Sequence, residues 1–223
     1  MGKFSVEKAR RAQFEISKKI VLNDRFLPDD IRFVAGVDVA YTRDFSIGAA
    51  VVLKYDSLEM VEYVTVRCKT FFPYVPTLLS FREVPPTVSC FKKLKVKPDV
   101  VLVDGHGYAH PFRCGFASHL GVVINRPTVG VAKNLLCGTV GKFDKDGNAP
   151  IMDGREVIGM AVITEPGRKP IYVSVGHMIS LETAVRIVKH CADNKRIPKP
   201  IQEAHLRANI EKHRLKRSLA NPV

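Results

Sequence analysis

The sequence predicts an α/β protein with a mixed central β-sheet flanked by helices. Three strand-like runs joined by short polar turns lie in the first third of the chain, the pattern of an antiparallel meander. Further on, short and wholly apolar runs alternate with helical stretches, as parallel strands buried on both faces do. The 223 residues, 46% hydrophobic and 26% charged, suit one domain over 1–223 with a substantial core.

Each element has its own signal. Val6, Ala9, Ile16 and Ile20 share a helical face, while Arg10, Arg11, Lys18 and Lys19 fall mostly elsewhere, so a helix opens the chain. Residues 23–30, with Pro28, form a turn-rich connection. Strands are expected at 33–41, 47–55 and 60–68. A short helix over 77–84 should stop at Pro85 and Pro86, and Pro86 should open a second one carrying Val88, Phe91 and Leu94. Residues 100–103 and 128–132 are apolar runs of buried strands, separated by a helix over 115–124. Residues 138–154 read as a polar surface loop. Strands at 157–164 and 171–175 and helices at 181–191 and 200–219 complete the chain.

Lys plus Arg outnumber Asp plus Glu by 35 to 22, a net charge of +13. This surplus calls for an anionic partner, nucleic acid first and an acidic membrane second. No apolar run approaches the roughly 20 residues of a membrane helix, and residues 1–19 carry charges throughout, so no membrane role or signal peptide is expected. Cys68, Cys90, Cys114, Cys137 and Cys191 are odd in number and lack C-x-x-C spacing, which points to reduced thiols in a cytoplasmic protein.

Two carboxylates stand where apolar strands should not have them. Asp38 interrupts the run 34–40, and Asp104 ends the run 100–103 just before Gly105. A carboxylate in such a strand is costly unless a cation or hydrogen bonds compensate it. Asp38 alone is as well explained by a bond to a neighbouring turn. Two strand-end carboxylates brought together would repel, and a divalent cation is the natural third party. Glu83 is a third candidate, although a lone helical Glu is most often a solvated one.

Six motifs occur in order: Val34-Ala35-Gly36-Val37-Asp38, Phe72-Pro73-Tyr74-Val75-Pro76, Phe81-Arg82-Glu83, Lys97-Pro98-Asp99-Val100, residues 104–111 with Asp104-Gly105-His106-Gly107, and Pro127-Thr128-Val129-Gly130-Val131-Ala132-Lys133. Together they closely resemble the endonuclease V family across about residues 14–207. His106 departs from the Gln or Asn usual there, and Thr77 from a common Gly.

The resemblance implies a ribonuclease H-like fold and a divalent-metal phosphodiesterase. The reaction implied is cleavage of the second phosphodiester bond 3′ to a deaminated adenine in DNA, or in RNA, by a monomer. It implies Asp38, Glu83 and Asp104 as metal-site residues holding Mg²⁺ or Mn²⁺, with Lys133 and His205 catalytic. His110 is implied to lie near substrate, and Tyr74 to be a wedge between strands. The residue types suit that chemistry. Hard oxygen ligands hold such a cation, which polarises a phosphoryl group. Pro73 and Pro76 stiffen the loop that presents Tyr74. Gly105, Gly107, Gly130 and the loop over Thr77–Leu79, with Arg82 beyond it, are candidates to meet the base, since glycine permits close approach. His119 and His177 read as packing residues. A nuclease or resolvase of the same architecture acting on branched or hybrid substrates, and a non-catalytic nucleic-acid-binding protein, are the alternatives. The motif loops and the three acidic positions with Lys133 speak against them.

Overall fold

Alternate residues of the central strands belong to different cores. Val34 of β1 (Phe33–Tyr41) and Val100 and Leu102 of β4 (Val100–Asp104) join one apolar cluster with Ile187 and Ile201. Ala35, Val37, Val101 and Val103 join another with Val84, Phe116 and Leu120. This is period-2 packing with both faces covered. The computed structural model describes residues 5–220, so residues 1–4 of the charged N-terminal stretch lie outside it.

The nine-stranded sheet runs β3-β2-β1-β4-β5-β9-β8-β7-β6. The meander is present, with β1, β2 (Phe45–Lys54) and β3 (Met60–Lys69) paired antiparallel. β1, β4 and β5 (Thr128–Ala132) pair in parallel. The remaining strands, β6 (Thr139–Val140), β7 (Asn148–Asp153), β8 (Glu156–Val162) and β9 (Ile171–His177), extend the sheet antiparallel. On one face pack α4 (Leu181–Ala192) and α5 (Lys199–Ala220); on the other lie α2 (Ser80–Phe91) and α3 (Phe116–Ile124), with α1 (Val6–Ser17) against α3.

Three expectations are corrected. The prolines do not divide the helix: α2 runs through Pro85 and Pro86. Pro86 is buried against β2, where a Cβ on Gly48 would come within 2.8 Å of its carbonyl, so packing outweighs the two missing N–H donors. Residues 138–154 are not all loop, since they hold β6 and β7. Ala149 and Ile151 bury alternately there, a run too short to stand out against its polar neighbours. In α1, Ala9 and Gln13 are buried and Val6 is exposed, so the packed side is rotated away from the apolar face.

Gly36 sets how near α5 comes to the sheet. A Cβ there would lie 1.9 Å from the Pro200 carbonyl oxygen, and backbone on both sides leaves nothing flexible to move. Gly36→Ala is expected to push α5 off β1 and to lower stability by about 2–3 kcal/mol in urea denaturation.

His119 is buried with Nδ1 3.0 Å from Ser80 Oγ, as a packing residue would be, and burial pushes its pKa down to about 4. The unfolded imidazole takes its proton near pH 6.5, and the folded one resists until about 4. The stabilisation is therefore complete above pH 6.5 and lost as pH falls through about 4. His119→Gln should flatten the acid limb of the stability-versus-pH curve by about one proton.

Candidate active site

The parallel register pairs Val37 of β1 with Val103 of β4, so the next residue on each strand is an aspartate. Asp38 and Asp104 share the strand face that carries Val34, Val100 and Leu102, the face covered by α5. Since Gly36 lets α5 approach, the next turn of that helix delivers His205 over them. His205 Nδ1 lies 2.7 Å from Asp38 Oδ2, while Asp38 Oδ1 accepts the Val39 N–H at 2.8 Å. Lys133 follows directly on β5, and its Nζ reaches Asp104 Oδ2 at 2.6 Å. Ligand atoms of Asp38, Asp104 and His205 all lie within 4.8 Å of one another. Two hard carboxylates and one imidazole at this spacing fit a divalent cation. Burial, then the neighbouring Asp38, pushes the Asp104 carboxyl above its ordinary range, and Lys133 opposes them.

Glu83 reaches the same end of the sheet from the other layer. It is buried on α2, and its Oε1 accepts the Tyr41 hydroxyl at 3.3 Å. Burial first, then Asp38 and further Asp104, drive its carboxyl well above the usual value. It stands outside the three-residue ligand cluster but within its field. The Arg82 guanidinium lies 4.2 Å over the Tyr41 ring.

A cavity of about 180 Å³ adjoins Glu83 and Asp104 and is lined also by Tyr74, Leu79, Gly105, His106 and His110. A larger groove of about 450 Å³ beside Phe71 and Pro85 contains none of the acidic residues. Chemistry rather than volume therefore singles out the smaller one. Tyr74 is 66% exposed at its mouth. His110 is buried and neutral: desolvation pushes its pKa down to about 4, and its Nδ1 accepts the Phe112 N–H at 3.2 Å, leaving the hydrogen on Nε2. His106 sets Nε2 3.0 Å from the Asn134 carbonyl, which makes it a brace for the loop after Lys133.

Of the three glycines, Gly105 lines the cavity, but Gly107 and Gly130 are buried. A Cβ on Gly107 would sit 2.2 Å from Val175 O, and one on Gly130 2.4 Å from Gly107 N. The close approach at these two glycines is to neighbouring backbone. Tyr41, Gln13 and Asn209 went unread. Asn209 Nδ2 lies 3.1 Å from His205 Nε2, and only its i+4 spacing on α5 could have drawn attention to it. Among the basic residues of α5, Arg207 pairs with Glu203 at 3.7 Å and stacks over Tyr63, and Arg214 pairs with Glu211 at 3.8 Å.

A mixed sheet that sets paired carboxylates at its strand ends, with a helix bringing a histidine over them, fits a nuclease of the ribonuclease H-like class with a candidate acidic metal-binding group. The family model described as Endonuclease V matches residues 14–206. The endonuclease V of Thermofilum pendens is 52% identical over 206 residues, covering 92% of this chain and 88% of its own. The crystal structure of the Streptomyces avermitilis endonuclease V superposes with a TM-score of 0.91 at 36% identity, covering 96% of each chain. That of Ciona intestinalis endonuclease V, in complex with a 24mer DNA containing an inosine followed by a ribo-adenosine, gives 0.84 at 34% identity, covering 94% of this chain and 98% of that one. The chain belongs to the Endonuclease V family.

Proposed function

We propose that this protein recognises deaminated adenine in DNA and hydrolyses the second phosphodiester bond 3′ to it. The carrying observation is the cluster of Asp38, Asp104 and His205 beside a cavity whose mouth holds an exposed Tyr74. The inosine-containing DNA bound by the Ciona relative supports the substrate class, and its ribo-adenosine supports RNA as a second one. One continuous nine-stranded sheet supports a single domain, and five free cysteines support a reducing, cytoplasmic setting.

Asp38, Asp104 and His205 would hold Mg²⁺ or Mn²⁺, which supplies Lewis-acid polarisation of the scissile phosphoryl group and makes water more acidic. Around that centre the chain's own groups have separable tasks. Lys133, held on Asp104, places a fixed cation where negative charge grows in the transition state. Glu83, buried on α2 and lining the cavity with Asp104, would add a third carboxylate to the metal site. Asn209 meets His205 Nε2 and fixes the direction of the ring, which leaves Nδ1, the nitrogen facing Asp38, to the cation. Tyr74 offers a stacking face to the gap left by an extruded base, and the cavity beyond it, lined by Leu79, Gly105 and His110, receives that base. Hypoxanthine differs from adenine by an O6 acceptor and an N1–H donor. The net charge of +13 grips phosphates without choosing sequence.

Nicking of a single-inosine oligonucleotide tests the reading. With Mg²⁺ the wild type should cut one bond beyond the neighbour of inosine, and EDTA should abolish cutting. Asp38→Ala and Asp104→Ala are expected to lose at least about a thousandfold in rate while keeping strand binding; full activity in either would remove the metal-site assignment.

Tyr74→Ala should slow cleavage of inosine in a duplex more than in a single strand, because opening a pair costs a few kcal/mol that a wedge offsets. Tyr74→Phe should be mild. The duplex to single-strand rate ratio, measured with the melting temperature beside it, decides. An unchanged ratio with a lowered melting temperature leaves a structural tyrosine.

A further inference from the structure

Thr77 adopts φ +65°, a left-handed conformation that is unfavourable for a β-branched residue. It ends the stiff turn that presents Tyr74 and lines the cavity itself. The atoms around it belong largely to α1. Arg10 Nη2 donates to Thr77 Oγ1 at 2.5 Å and to Pro76 O at 3.3 Å, and Arg10 Nη1 reaches Thr77 O at 3.4 Å. Gln13, fully buried, donates from Nε2 to Thr77 O at 2.9 Å and to Cys114 O at 2.8 Å, while its Oε1 accepts Arg10 Nη1 at 2.9 Å.

The second cavity loop is gripped by the same two side chains. The Arg10 guanidinium stacks 4.1 Å from the Phe112 ring centroid, and Phe112 donates its N–H to the His110 ring. Gln13 holds the Cys114 carbonyl of that loop. The Thr77 backbone is itself a hydrogen-bond partner of His110. On its outer side the His110 loop is anchored by Arg113, which bonds the His110 carbonyl at 3.1 Å and pairs with Asp153 at 2.7 Å and Glu156 at 2.8 Å. The loop therefore has a fixed wall on one flank and α1 on the other.

We propose that Arg10 and Gln13 are positioning residues for base recognition: they hold Thr77 in its left-handed turn and lock the Tyr74 loop to the His110 loop, so that α1 sets the width of the base pocket. This rests on the inosine reading of that pocket. A buried amide with every polar atom satisfied is a rigid spacer, and a planar guanidinium fork can bond two carbonyls and a hydroxyl while stacking on a ring. A glycine at position 77 would adopt the same φ without cost. The need for the clamp thus follows from the threonine, and the two can be separated experimentally.

The test uses the full chain with Arg10→Ala, Arg10→Lys, Thr77→Gly and the Arg10→Ala/Thr77→Gly double variant. Arg10 is partly exposed, so its removal leaves the core intact. Two readouts are taken: KM and kcat on matched single-inosine and adenine strands, and amide hydrogen exchange of segments 74–79 and 110–115. Arg10→Ala is expected to raise KM for the inosine strand about tenfold, to narrow the inosine-to-adenine preference by a similar factor, and to speed exchange in both segments together. Arg10→Lys, which keeps the charge but loses the fork, should follow it. Thr77→Gly in the Arg10→Ala background should recover most of both losses. Wild-type exchange and preference in Arg10→Ala would overturn the clamp, as would full recovery by Lys or no recovery by Gly. A wild type without inosine preference would instead overturn the substrate reading, and the exchange measurements would still decide the clamp.

Discussion

Two like charges at the end of neighbouring parallel strands are the constraint around which this molecule is arranged. The pairing of Val37 with Val103 leaves Asp38 and Asp104 side by side at the sheet end. Each is answered by a separate element. Lys133 arrives from the adjacent strand β5 and His205 from α5, so the strand order sets the ammonium on Asp104 and the helix sets the imidazole on Asp38. What remains is an electrostatically frustrated site whose donors suit a hard dication better than they suit each other.

The site draws on both layers of the fold. Asp38 and Asp104 lie on the α5 face, whereas Glu83 and Tyr41 approach from the α2 side, and the two sets meet only past the end of β1 and β4. This explains why Glu83 feels both aspartates yet stands apart from the ligand cluster. It also explains the cost of moving α5: Gly36 and Asp38 are two residues apart on one face, so the backbone contact at the first holds the histidine over the second.

Recognition is built from neutral, restrained parts, in contrast to the charged centre. Burial pushes the pKa of both His106 and His110 down, and each has a ring nitrogen committed to backbone. Gly107 and Gly130 pack closely against each other, and Gly107 against Val175, so the loop that carries His106 rests on sheet backbone. The aromatic at the mouth is left exposed on a proline-bracketed turn.

The strands were legible because burial on two faces leaves unbroken apolar runs, and the aspartates were legible because they interrupt them. Lys133 and His205 could be placed only through the order of the motifs, since a Lys after a strand and a His on a basic helix carry no local signal. The sequence by itself thus determined the centre of the sheet, its sites of charge and the family, but not the edge strands β6 and β7. The tertiary structure decided the rest, because the deciding contacts join residues far apart in the chain. Pro86 against Gly48 keeps α2 whole where local rules would end it. Gln13 sits on what reads as a polar face until Thr77 and Cys114 bring it their carbonyls, 64 and 101 residues away. A polar side chain becomes a core residue only when its partners arrive, and no local pattern states which partners those will be.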